Sequence, residues 1–175
     1  MLDDIYNAKI LDYAGNIPLT GRLDNPDATA KAHSRLCGST VIVDLKLADG
    51  KVSEFAHDVK ACALGQASSS IMARNIIGST PQELRLLRST MYAMLKEGGP
   101  SPEGRFAEFR FLEPVRDYKA RHASTLLTFD AVVEALDEVE AKQKAVSAEK
   151  REKRDKAKSA AVGALNAAGI AFRVR

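Results

Sequence analysis

The sequence predicts an α+β fold: a small antiparallel sheet packed against helices, with a long C-terminal helix. Three observations carry this. Residues 40–47 alternate apolar and polar and run into Asp49-Gly50, the signature of a tight hairpin. Thr80-Pro81-Gln82-Glu83 is a capping box with Pro at the first helical position. From about residue 122 onward the composition stays helical for more than ten turns, with no Pro and Gly only at 163 and 169.

The elements follow in order. Leu2, Ile5, Tyr6, Ile10 and Tyr13 share one helical face, so a helix is expected over 2–14 with Gly15 as its stop. Residues 15–33 hold Gly15, Pro18, Gly21 and Pro26 among polar neighbours and read as a loop. The hairpin occupies about 39–60. Val41, Val43, Leu45 and Leu47 lie on one side of its first strand; Phe55, His57 and Val59 lie on one side of its return. His57 therefore reads as a packed core histidine rather than a ligand. The stretch after Cys62 is helical up to Gly78, and the capped helix follows with Leu84, Leu87, Met91, Met94 and Leu95 as its apolar stripe. Both methionines read as core filler. Residues 101–121 read as a mixed linker with an apolar patch at Phe106, Phe109, Phe111 and Leu112. The last helix buries Leu126, Val133, Leu136 and Val139, and Gly169 separates the ending IAFRVR.

Charge divides the chain. Of its 175 residues, 1–139 carry a net −3, while 140–158 carry +4 and the last 17 add +2. The expected division is a domain over 1–138 and a charged helical extension over 139–175. The extension mixes signs and has no interleaved aromatic ring, so it offers nucleic acid neither a single-sign stripe nor a stacking platform, and a solvated helix with i,i+4 pairs such as Glu149–Lys153 is expected. No window is apolar enough to span a membrane. The acidic start Met1-Leu2-Asp3-Asp4 is unlike a secretory signal, and the two cysteines form no disulfide framework. A cytoplasmic protein with free thiols is expected.

Cys37 stands at the loop-to-strand entry and Cys62 at the strand-to-helix exit. Pairing through the Asp49-Gly50 turn brings the two ends of the hairpin together. Cys62 would also stand at a helix N-terminus, where the helix's partial positive charge faces the sulfur. Such a pair is half a site for a thiophilic metal, or simply two small buried residues.

Four separated motifs resemble the U-type iron–sulfur cluster assembly scaffolds (the SufU, IscU and NifU N-terminal family). They are Leu2-Asp3-Asp4-Ile5-Tyr6 with Ile10-Leu11-Asp12-Tyr13 and Asn16, Leu36-Cys37-Gly38, Cys62-Ala63-Leu64-Gly65-Gln66-Ala67-Ser68-Ser69-Ser70-Ile71-Met72, and Glu113-Pro114-Val115-Arg116-Asp117-Tyr118-Lys119-Ala120-Arg121. The likeness runs over about 2–136. It implies a scaffold or carrier rather than an enzyme, with a cluster or zinc as the bound group and a cysteine desulfurase or a larger complex as partner; a homo-oligomer that pools cysteines is a further option. Carried over by position, the family's first two ligand cysteines fall on Cys37 and Cys62. Its intervening Asp falls on Ser39. Its third cysteine falls on Ser124 counted without gaps, or on Ala123 if His122 matches the His before that cysteine. His122 is then the weakest of three candidate ligands, and His33 reads as a solvated loop histidine. Three functions are open: a divergent scaffold binding through Cys37 and Cys62, a repurposed metal-free structural or regulatory subunit, and an enzyme with Cys62 as nucleophile and His57 or His122 as base.

Overall fold

The computed structural model describes residues 5–169. Its elements are α1 (Ala8–Gly15), β1 (Ala28–His33), β2 (Thr40–Ala48), β3 (Lys51–Lys60), α2 (Ala63–Asn75), α3 (Pro81–Lys96), a 3₁₀ segment (Gly104–Asp117) and α4 (Lys119–Ala167). The sheet is antiparallel in the order β1-β2-β3, so the fold class is α+β as predicted. The chain divides into a compact unit ending at Glu138 and a second unit from Val139 onward.

The expected hairpin forms with Thr40 opposite Lys60. Asp49 (φ 52°) and Gly50 (φ 73°) both adopt left-handed backbone, the pair of angles a type I′ turn requires. One face of the sheet is built in rows: Ala28, Leu45 and Phe55; Ala30, Val43 and His57; Ala32, Val41 and Val59. His57 is wholly buried in it, with Nε2 2.9 Å from the Pro18 carbonyl and its ring edge-on to Phe55. Burial holds its pKa below the ordinary histidine value, so it stays neutral.

Two segments depart from the sequence reading. Residues 28–33, expected as loop, form β1, because Ala28, Ala30 and Ala32 alternate inward against β2. Small side chains give a weak alternation signal, and the strand exists because β2 offers it an edge. Residues 104–117, expected as linker, form the 3₁₀ segment, whose Phe106, Phe109, Leu112 and Val115 are core. Pro114 lacks the N–H that a regular α-helix would use there. Smaller corrections concern helix details. The helix expected over 2–14 is interrupted at Tyr6 and Asn7, where extended Asn7 caps α1 by accepting from Ile10 N. Leu2 and the ending IAFRVR lie outside the described residues. In α4 the buried position is Val132, and Val133 is half-buried. The Thr80 capping box forms in full, with Glu83 N donating to Thr80 Oγ1 at 3.2 Å and Thr80 N to Glu83 Oε2 at 2.7 Å.

On the opposite face of the sheet, Asp44 is buried against the loop after α1. It accepts from Arg22 Nε (2.6 Å), Thr29 Oγ1 (2.6 Å) and Leu23 N (3.0 Å). Burial alone would raise this carboxyl's pKa, but the three donors outweigh it and hold the pKa below the ordinary Asp value. Stability from Asp44 is thus fully present above the unfolded-state pKa of about 4 and is lost as pH falls through the lower folded value. An acid titration of urea stability is expected to show a smaller loss below pH 4 in Asp44→Asn than in the parent; identical slopes would refute it.

Residues 140–167 continue as helix with side chains almost wholly exposed. Lys153–Glu149 and Lys156–Glu152, each at 2.6 Å, are the expected i,i+4 pairs. No described helix is long and apolar enough to cross a membrane.

Candidate functional site

Cys37 is carried by the tight connection between β1 and β2. Gly38 N donates to Ser34 O and Ser34 N to Ser39 O, each at 2.9 Å, closing the loop. Gly38 has φ +70°, which glycine adopts without the Cβ penalty. The exposed Cys37 has two buried hydroxyls beside its sulfur: Sγ–H donates to Ser34 Oγ at 3.4 Å, and Ser39 Oγ lies 3.0 Å away. Rotated to donate, the Ser34 and Ser39 hydroxyls stabilise thiolate and lower the Cys37 pKa below the ordinary thiol value, with a smaller contribution from the Arg121 guanidinium. Ser39 therefore serves the Cys37 sulfur as a hydroxyl donor.

Cys62 is the N-cap residue of α2, extended at φ −65° and ψ 168°. It is half-buried, and its Sγ–H donates to Ser124 Oγ at 3.3 Å. The reason lies in the docking of α2 on the first turns of α4. A Cβ at Gly65 would lie 2.8 Å from Ala61 Cβ and 3.0 Å from Ser124 O, so only glycine lets the two backbones approach this closely. Ser68 Oγ donates to Thr125 O at 2.8 Å and joins the same contact. Gly65→Ala is expected to cost about 1–3 kcal/mol, since backbone must shift to admit the methyl group. It should also displace Ser124 from Cys62. Chemical denaturation measures the cost, and an unchanged midpoint would contradict the packing argument.

The first turns of α4 bear on both cysteines: Arg121 is close enough to act on Cys37, and Ser124 touches Cys62. His122, between them in sequence, is buried with Nε2 3.1 Å from Val115 O and 3.0 Å from Arg116 O. Two carbonyl acceptors call for a proton on Nε2, which occupies that nitrogen with the 3₁₀ segment. Among the described residues no group of three or more His, Cys, Asp or Glu side chains is gathered closely enough to hold a metal ion. Cys37, Cys62 and His122 thus form no closed ligand set among the described residues.

Beside the Cys37 loop lies a cavity of about 510 Å³, lined among others by His33, Ser34, Leu36, Lys96, His122 and Ala123. His33 is therefore not a loop histidine: it ends β1, paired with Thr40, and borders this cavity. The two positions considered for a third thiol separate here. Ala123 faces the cavity, whereas Ser124 is buried against Cys62 and donates to Arg121 O at 3.0 Å. Lys119 and Arg121 end the fourth motif, though the resemblance assigns them no role; Ser34 and the cavity-lining Tyr92, Lys96 and Asp130 stand in no motif.

Comparison with known proteins gives a consistent result. A family model for the NifU-like N-terminal domain matches residues 5–146. The crystal structure of a nitrogen-fixing NifU-like protein (N-terminal) from Brucella abortus is 65% identical, covers 81% of this chain and 98% of its own, and superimposes with a TM-score of 0.79. The iron–sulfur cluster assembly scaffold protein IscU of Thermotoga maritima is 28% identical over 135 residues, 77% of this chain and 94% of the relative. The protein of the same name from Streptococcus pyogenes serotype M1 is 24% identical over 136 residues, 77% of this chain and 84% of the relative.

Proposed function

We propose, for a chain that belongs to the NifU-like N-terminal domain family of iron–sulfur cluster assembly scaffolds, that Cys37 and Cys62 are the anchors of a metal or iron–sulfur cargo. What supports this is that residues of the first turns of α4 bear on both thiols, Arg121 acting on Cys37 and Ser124 hydrogen-bonded to Cys62. Thiolate sulfur is the donor that iron–sulfur clusters and zinc prefer, and His122 is the next candidate donor. Two thiolates and one imidazole leave a four-coordinate metal open on at least one side. An open, exposed site suits cargo that must leave again. In this reading residues 1–138 are the scaffold, working in a reducing cytoplasm with a cysteine desulfurase as sulfur donor, and the chain performs no catalysis of its own. The charged helix from 139 onward is a contact element for a larger assembly or a second copy.

Anaerobic reconstitution with ferrous iron and sulfide tests this. A visible chromophore is expected in the parent and should be lost in Cys37→Ser and in Cys62→Ser, with unchanged far-UV circular dichroism. A chromophore indifferent to both substitutions, or none together with no bound zinc, would refute the assignment.

A second reading draws on a specific observation: each sulfur is already satisfied by hydroxyl partners, Ser34 and Ser39 for Cys37 and Ser124 for Cys62. On this reading the chain is a metal-free structural or regulatory subunit. Stable copurification with a complex, unaffected by the double Cys→Ser variant, favours it over the first.

A further inference from the structure

We propose that the outer edge of β1, with the basic cavity at its end, docks an extended acidic segment of a partner protein, which adds to the sheet as a further strand. The inference goes beyond the cargo proposed above and does not depend on a metal being bound.

β1 is an edge strand of the sheet. Ser34 N donates to Ser39 O, so these two residues face each other as a hydrogen-bonded pair, and in an antiparallel ladder such pairs alternate. Ala28, Ala30 and Ala32 therefore exchange hydrogen bonds with β2, and the N–H and C=O groups of Thr29, Lys31 and His33 point away from it. Among the described residues no backbone group meets them on that side. The other edge of the sheet is covered: on β3, His57 is paired by Leu19 and Gly21, and Val52 by Gly78 and Ser79. An open row of donors and acceptors accepts a strand from another chain.

The surroundings select the chemistry of that strand. Lys31 and His33 are exposed, and exposed Arg35 follows in the turn that leads to Cys37. His33 also borders the cavity of about 510 Å³, where Lys96 and Lys119 add positive charge and Leu36 and Leu126 supply apolar surface. The one acid of that lining, Asp130, is balanced by Arg88 Nε at 2.7 Å and Tyr92 Oη at 2.9 Å. Asp27, at the far end of β1, accepts from Leu47 N at 2.8 Å. The end of the edge nearest Cys37 is therefore positive. It matches a segment that alternates carboxylates with apolar side chains, the carboxylates beside Lys31 and His33 and the apolar groups toward the leucines. Two β1 edges paired about Lys31 would set like charges opposite each other, which disfavours a second copy as occupant. Nucleic acid would meet the charge but leave the open carbonyls unpaired. A polypeptide satisfies both, and it brings its owner to the Cys37 thiol.

The test uses the full chain and an end-capped octapeptide that alternates glutamate and valine. In the free protein, hydrogen exchange at the Thr29, Lys31 and His33 amides should be fast and at Ala30 and Ala32 slow. Saturating peptide should slow the first group on the order of tenfold or more and leave the second unchanged. Lys31→Glu should weaken peptide binding on the order of tenfold and make a lysine–valine peptide bind better than it binds the parent. A fully N-methylated peptide keeps its charges, loses its donors and should protect none of these amides. Amides of Thr29, Lys31 and His33 already protected in the free chain would show an occupied edge and overturn the proposal. So would the absence of peptide binding, or binding that leaves those amides exchanging fast. Tighter binding of a single-stranded oligonucleotide than of the peptide, at equal salt, would overturn it as well. Cargo binding at Cys37 and Cys62 is read separately by reconstitution, so either idea can fail alone.

Discussion

Replacing Ala123 by Cys is expected to tighten Zn²⁺ binding on the order of a hundredfold, as read by competition with a chromophoric chelator. Structural zinc sites bind with roughly 10–16 kcal/mol over four ligands, so one added thiolate contributes about 3 kcal/mol. Geometry says which position gains. Ala123 borders the cavity beside the Cys37 loop, and a thiol there would face open space next to His122. A thiol at 124 would be buried against Cys62 and the α2 contact, where Ser124 O is already crowded by the close approach of Gly65. Ser124→Cys should therefore gain less than tenfold. Should Ser124→Cys bind zinc tightly and Ala123→Cys not at all, the cavity-facing assignment is wrong and the metal sits on the Cys62 side. The pair of variants thus decides between two alignments that differ by a single residue.

The second large effect concerns the core that holds this turn in place. Phe109→Ala is expected to lose about 3–5 kcal/mol. Phe109 is completely buried, with its ring centroid 4.9 Å from Phe129 of α4 and 6.3 Å from Phe106. Removing it opens a cavity between the 3₁₀ segment and α4. With a urea slope of about 2 kcal/mol/M, the unfolding midpoint should fall by roughly 2 M. Leu86→Ala, at a side chain 68% exposed, is the control and should stay within about 0.5 kcal/mol. Equal midpoints for the two variants would show that the 3₁₀ segment is not core. The effect reaches the site as well, because that segment supplies the Val115 and Arg116 carbonyls that hold His122.

Much of the frame was legible residue by residue. Asp49-Gly50 specified its turn because few residues adopt two consecutive left-handed conformations, and Thr80 to Glu83 specified a helix start because its donors are satisfied locally. His57 could be assigned to the core from alternation alone. By contrast, β1 was read as loop because Ala28, Ala30 and Ala32 carry too little apolar surface to mark a strand. The Phe106–Leu112 patch was seen but its 3₁₀ backbone was not, since Pro114 and Gly104 suggest a linker just as well. The candidate residues Cys37 and Cys62 come from hairpin logic and family resemblance. No role for Ser34, Arg121 or the lysines of the cavity is legible there: Ser34 lies three residues from Cys37 but meets its sulfur only once the loop closes, and the others act across elements distant in sequence.

By itself, then, the sequence determined the α+β class, the hairpin and its turn, the two thiols, and the change from an acidic body to a basic, helical extension. These follow from local rules: turn angles, capping, periodicity and counted charge. Only the tertiary structure decided what surrounds each sulfur. It set Ser34 and Ser39 against Cys37, Ser124 against Cys62, and Ala123 against an open basic cavity. Ser34 and Ser39 reach Cys37 through the closure of its own loop, whereas the placements of Ser124 and Ala123 depend on how closely α2 can approach α4 at Gly65 and on which face of α4 its docking leaves open. Such distances arise from packing between segments some sixty residues apart, as the Cys62–Ser124 contact is, and no local pattern encodes them.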